Sequence, residues 1–132
     1  MLNRIAMQKS FQYLELFYNK ILKINYAQDS FVVIKADDGE LDKLPRLITF
    51  SQWVKDFINS PYFVPYGENR QKMEFVKYFD LDYLRKLDCP LVLEYRKLVD
   101  GELHDMELTL LNVGSERAYI FVRDNTKINK IT

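Results

Sequence analysis

The sequence predicts an α+β domain. Five strands form an antiparallel sheet, helices inserted between the second and third strands cover one face, and a further helix precedes the first strand. Three observations predict it. Asp100-Gly101 sits between two runs of strand formers, 91–99 and 102–111, and a two-residue Asp-Gly loop is the strongest short-range hairpin signal because both residues take positive φ. Phe50, Trp53, Val54, Phe57 and Ile58 recur at i, i+3, i+4, i+7 and i+8, a single apolar helical stripe. The strand-to-strand links are short enough for antiparallel pairing, and the helical patterns fall between the strands of the first and last groups.

Taken in order, residues 1–17 carry Ile5, Phe11 and Leu14 at helical spacing without Pro or Gly, which predicts an N-terminal amphipathic helix. Residues 18–26 alternate as a strand, with Leu22, Ile24 and Tyr26 on one face and Ile21, Lys23 and Asn25 on the other. A turn at 27–30 leads into a β-branched strand at 31–35, and the charged stretch 37–46, with Gly39 and Pro45, predicts an exposed loop. Thr49 and Gln52 match a capping box, Ile48 is placed to staple onto Trp53, and Ser60-Pro61 ends that helix. An aromatic, Pro-punctuated connection at 62–67 precedes a helix over 68–79 with Met73, Val76 and Phe79 expected inward. Asp80 then caps a last helix, 81–87, with Leu81, Leu84 and Leu87 on one side.

The Asp-Gly turn sets the register of the closing strands. With Val99 opposite Glu102, the pairs Tyr95–Met106, Leu93–Leu108 and Leu91–Leu110 share an apolar face. Glu94, Arg96, Asp105, Glu107 and Thr109 share a wet one, with Arg96 opposite Asp105. A second turn around Gly114 leads to the last strand, 118–122, which Arg123-Asp124 closes. The helices have to cover the apolar face, and the space between helices and sheet is the natural place for a small-molecule cavity.

The chain has 132 residues, the size of one domain, with Lys plus Arg equal to Asp plus Glu at 19 each. A zero formal charge argues against a nucleic-acid partner, which asks for a basic excess. Apolar runs are far shorter than the roughly 20 residues a bilayer-spanning helix needs, so this segment is expected to make no membrane contact. No secretory leader is recognisable. A single cysteine, Cys89, excludes an internal disulfide, and a cytoplasmic location is expected.

No phosphate loop, C-x-x-C, H-E-x-x-H or G-x-S-x-G occurs, so neither a catalytic site nor a metal site is expected. The lone histidine, His104, falls on the apolar face opposite Lys97 and reads as a partly buried packing residue. Pairing it with Asp105 as acid and base fails, because adjacent strand residues point to opposite faces. Cys89 reads as a small buried hydrophobe, and Asp80 and Asp82 as a cap and a dipole-favourable charge. Most of the nine Tyr and nine Phe read as core filling, while Trp53, Phe57, Tyr95, Met106 and Tyr119 are the candidate ligand-pocket residues.

The layout resembles the PAS fold, a sensory domain of five antiparallel strands with helices between the second and third. The likeness is carried by the opening pair, 18–26 with Asp29-Ser30-Phe31, by the Phe50 to Phe57 helix with Trp53, and by the block Phe79-Asp80-Leu81-Asp82-Tyr83-Leu84. The closing Val122-Arg123-Asp124-Asn125-Thr126 is similar to the Asp-x-Thr signature at which PAS domains pass a signal onward. The chain thus resembles PAS-like domains found upstream of GGDEF output domains in bacterial diguanylate cyclases. The resemblance implies an N-terminal helix (1–17), a PAS-like domain (18–126) and the start of a linker (127–132) to an output domain in the same chain. It further implies a homodimer, a small-molecule ligand or none, no enzymatic activity in this segment, and Asp124 and Thr126 as the signal relay. Neither flavin nor haem is expected. Cys89 lies outside the helices that carry the flavin-reactive cysteine in photosensory relatives, and the helical insert has no histidine to ligate iron.

Overall fold

The computed structural model describes residues 17–36, 48–67 and 69–127. Its elements are β1 (Lys20–Asn25), β2 (Ser30–Ala36), α1 (Phe50–Asn59), β3 (Phe63–Val64), α2 (Asn69–Tyr78), α3 (Leu81–Arg85), β4 (Leu91–Val99), β5 (Glu102–Val113) and β6 (Arg117–Asp124). The expected N-terminal helix up to residue 16, the loop 37–46 and the linker beyond Lys127 lie outside the described residues.

The architecture is α+β, with one antiparallel sheet in the order β2-β1-β6-β5-β4-β3. Asp100 and Gly101 take φ of 51° and 80°, and the register runs from Val99 opposite Glu102 to Leu91 opposite Leu110, as the turn predicts. β6 pairs with β5 on one side and with β1 on the other, so the last strand occupies the middle of the sheet beside the first.

The sheet has six strands rather than five. The additional one is β3, where Pro61 and Pro65 bracket a short extended segment. It pairs Phe63 with Lys97 and Val64 with Arg96, and Leu98 N donates to the Tyr62 carbonyl at 2.8 Å. Further along, Gln71 Nε2 donates to the Glu94 carbonyl at 2.6 Å. Hydrogen bonds of an otherwise open edge are thereby satisfied by a strand fragment and one side chain.

α1 is held at its N-terminus by two residues. Thr49 Oγ1 accepts from Gln52 N at 3.1 Å, the expected cap. Asp29, in the β1–β2 turn at φ 46°, accepts from Phe50 N through its carbonyl at 2.9 Å. Its carboxylate accepts from Ser51 N at 2.8 Å. Two orphan helix donors are therefore satisfied by the sheet, which pins α1 over β1 and β2. Asp80 accepts from Tyr83 N and caps α3, with Leu84 fully buried.

One core cluster joins the helices to the inner sheet face: Phe50, Trp53 and Val54 of α1, Phe75 of α2 and Leu84 of α3 pack with Leu22, Tyr95, Leu108 and Ile120 of the strands. Four expectations need correction. In α2 it is Phe75, 1 % exposed, that points inward, whereas Met73 and Val76 are 72 % and 63 % exposed. The α2 sequence offers two competing stripes, and the ring stripe Phe75–Phe79, stacked at 5.7 Å, buries more area than the Met73–Val76 stripe. Cys89 is exposed rather than buried, because it lies in the bend between α3 and β4 where the chain runs over the surface. The wet face is wet along β4 and β5 only; along β1 and β6, Ile21 and Phe121 are opposite one another and are 0 % and 8 % exposed. Lastly, Tyr119 lies on this outer face.

Candidate functional site

Tyr95 is the hub of the interior. It is 2 % exposed and meets Phe57 edge-on at 5.2 Å, Phe75 edge-on at 6.0 Å and Phe63 at 5.8 Å. Trp53 extends the chain of rings from Phe57, at 5.7 Å, to Phe31, at 5.9 Å. Two small clefts open on either side of Tyr95 and share Lys97. The first, about 140 Å³, is lined chiefly by Trp53, Phe57, Phe63 and Tyr62, with Asp56 and Ser60 as its polar groups. The second, about 220 Å³, is lined by Asn19, Lys20, Met106, Val122 and Asp124 besides the shared pair.

Four of the five pocket residues expected from sequence, Trp53, Phe57, Tyr95 and Met106, therefore line one of these clefts. Tyr119 does not. Leu110 pairs with Ile120, which puts Ala118, Ile120 and Val122 inside and leaves Tyr119 outside, stacked on Phe121 at 6.0 Å. Lys20, Lys97, Asn19 and Asp56 were not singled out by sequence. The available signal was parity: Lys20 shares the inward face with Leu22 and Ile24, and Lys97 with Tyr95, so each strand places a charge where its neighbours are apolar.

The second cleft borders the point where the chain leaves the sheet. Asp124 Oδ2 meets His104 Nδ1 at 2.5 Å. Asp124 Oδ1 accepts from the Thr126 hydroxyl at 2.6 Å and from Thr126 N at 3.0 Å. The Thr126 hydroxyl in turn accepts from Asp105 N at 2.8 Å, Asn125 N donates to the Asp105 carbonyl at 2.7 Å, and Asp124 N donates to Asn19 Oδ1 at 2.8 Å. Asp124 and Thr126, the two relay residues expected from sequence, thus form a knot that ties β6 to β5 and to the residue before β1. Burial pushes the Asp124 carboxyl up. The hydrogen bonds from Thr126 and His104, and the His104 charge, outweigh that and hold it below its ordinary value.

His104 does partner a carboxylate, but that of Asp124; Asp105 points to the other face. There its carboxylate accepts from Tyr66 OH at 3.3 Å, and the Arg96 guanidinium lies over the Tyr66 ring at 4.5 Å. The expected Arg96–Asp105 pair is in register, with Tyr66 touching both partners. At the far end of the sheet a second buried network closes the fold. Tyr26 OH donates to Asn112 Oδ1 at 2.6 Å, and Asn112 Nδ2 donates to the carbonyls of Leu84 and Leu87 at 2.7 and 2.9 Å. Burial pushes the Tyr26 phenol up to about 12, against a lowering by Arg85.

Among the described residues no three or more His, Cys, Asp or Glu are grouped to hold a metal ion, and no helix is long and apolar enough to cross a membrane. No protein-family model matches the chain, and neither does any curated protein.

Proposed function

We propose that the chain is a PAS-like sensory or regulatory domain, cytoplasmic and without enzymatic activity of its own. It binds a small molecule in the two clefts that meet at Tyr95 and Lys97 and relays occupancy to an output domain that follows it, a diguanylate cyclase. The observation that carries this reading is a shared residue. Asp124 lines the second cleft and also fastens the exit of the chain through Thr126. A ligand that touches the cleft wall thereby acts on the group that positions whatever follows, as a two-state element requires. The central place of β6 beside β1 supports the likeness, since it lets the last strand feel both halves of the sheet.

Thermal melting against a library of small metabolites tests the reading. At least one compound is expected to raise the melting temperature, and Trp53→Ala or Tyr95→Ala is expected to abolish that rise. A library without a stabilising member counts against ligand sensing. It would favour the alternative, a dimerisation module without ligand, for which the exposed Met73 and Val76 on α2 speak. Both readings allow a homodimer, so the ligand screen separates them. Sedimentation equilibrium with and without residues 1–17, and in Met73→Lys and Val76→Lys, locates the surface through which copies associate.

A further inference from the structure

His104 is the chain's only histidine, and it stands on the hydrogen-bonded knot at which the chain leaves the sheet. Its Nδ1 meets Asp124 Oδ2, while Asp124 Oδ1 receives the Thr126 hydroxyl and Thr126 N. Asp105 N donates to that same hydroxyl, and Asn125 N donates to the Asp105 carbonyl. One imidazole therefore braces the carboxylate that holds Thr126, and Thr126 holds the exit to β5. The charged groups around the imidazole come from four strands. Lys97 lies directly opposite on β4, and Asp124 ends β6. Lys20 of β1 lines the same cleft as Lys97 and Asp124, and Glu102 shares the His104 face of β5 two residues away. Of these side-chain types only an imidazole ordinarily changes charge between pH 5 and 8. Burial pushes the Asp124 carboxyl up, but the bonds from Thr126 and His104 hold it below its ordinary value, so it stays ionised throughout that range. The side chains of His104 and Asp124 are 24 % and 27 % exposed, open enough for a proton to exchange with solvent.

We propose that His104 makes this exit a proton-sensitive switch: the knot is tight while the imidazole is charged and loosens when the ring gives up its proton, so that the segment after β6 responds to pH across neutrality. A protonated ring donates from Nδ1 to the carboxylate as a charge-assisted bond, about twice as strong as a neutral one. Loss of the Nε2 proton leaves Nδ1–H as a neutral donor, and the other neutral tautomer offers Asp124 no donor at all. The carboxylate is then freer to turn away from Thr126, and the bonds that Asn125 and Asp105 make at the exit loosen with it. The added stability of the knot is therefore present on the acid side of neutrality and lost as pH rises. The inference rests on the relay reading of Asp124 and Thr126 and needs no ligand in either cleft.

Amide hydrogen exchange of the full chain at about pH 5 to 8, expressed as protection factors, tests the switch. Because the chain has one histidine, a single set of imidazole signals in NMR reports its charge in the same samples. Protection of the Asp105, Asn125 and Thr126 amides is expected to fall about three- to fivefold as the imidazole deprotonates, the increment between a neutral and a charge-assisted bond reduced for two partly exposed side chains. The fall should share its midpoint with the imidazole signal. The Tyr26 amide, bonded to the Glu116 carbonyl at the other end of the sheet, should not change. His104→Gln, neutral throughout, and His104→Arg, charged throughout, should both lose the pH step, and circular-dichroism melts at both pH limits confirm that they are folded. Wild-type protection that stays flat while His104 titrates, or that changes with a different midpoint, would overturn the switch. A pH step that persists in either variant would overturn it too. None of these results touches ligand sensing, which the metabolite library tests separately.

Discussion

At the scale of single residues, hydrogen-bonded carboxylates and phenols hold the two ends of the sheet. Asp124→Asn removes the charge that meets His104 and weakens the acceptor for Thr126, and should destabilise the fold by about 1–2 kcal/mol, the cost of breaking a charge-assisted, partly buried bond. The sign of its pH dependence follows from the lowered carboxyl of Asp124. Its contribution is fully present above the unfolded value, about 3.9, and is lost as pH falls through the lower folded value. Urea melts between pH 2 and 6 should therefore show a shallower acid loss in Asp124→Asn than in the wild type. Tyr26 runs the other way. With its phenol raised to about 12, its contribution is complete below the unfolded value, about 10, and is lost as pH climbs toward 12. Ultraviolet titration should show a phenol that ionises only near pH 12. Tyr26→Phe should remove that late step and cost about 1–3 kcal/mol by orphaning Asn112 Oδ1.

At the scale of elements, α2 offers the sharpest contrast. Phe75→Ala empties a site ringed by Phe57, Phe63, Phe79 and Tyr95 and should cost about 3–5 kcal/mol. Met73→Ala and Val76→Ala, on the exposed side, should each stay within about 0.5 kcal/mol; denaturant midpoints measure all three. Gly101→Ala should cost about 1 kcal/mol, from backbone strain at φ 80° alone, because a Cβ there meets nothing within 4 Å. What was legible in the sequence is explained by these elements. The β4–β5 hairpin could be read residue by residue because its turn admits one register and its apolar residues alternate cleanly. The caps at Thr49 and Asp80 were legible for the same reason, a local chemistry with few solutions. In the run Ala118-Tyr119-Ile120-Phe121-Val122 both parities are apolar, so only pairing across the Gly114 turn decides that Tyr119 faces outward. β3 and the second cap from Asp29 depend on contacts between distant segments, which no local pattern encodes.

At the scale of the molecule, the strand order places the start and the end of the described chain side by side. Asn19 precedes β1, Asp124 ends β6, and the two are bonded to one another at the rim of the same cleft. The opposite end of the sheet is locked by Tyr26 and Asn112 to the carbonyls that end α3. On the proposed relay, a perturbation inside the cleft acts on the Asp124–Thr126 knot, while the Tyr26–Asn112 end holds the sheet to α3. The apolar pocket residues and the relay pair were foreseen as separate features. Their adjacency was not, because it arises from β6 lying between β1 and β5. The most direct measurement is amide hydrogen exchange at Asn125 and Thr126, with the cleft empty and with it saturated by the tightest-binding compound of the library. The account predicts that occupancy changes protection of these two amides several-fold while the amide of Tyr26 is unaffected. Saturation of the cleft with no change at Asn125 and Thr126 would contradict it.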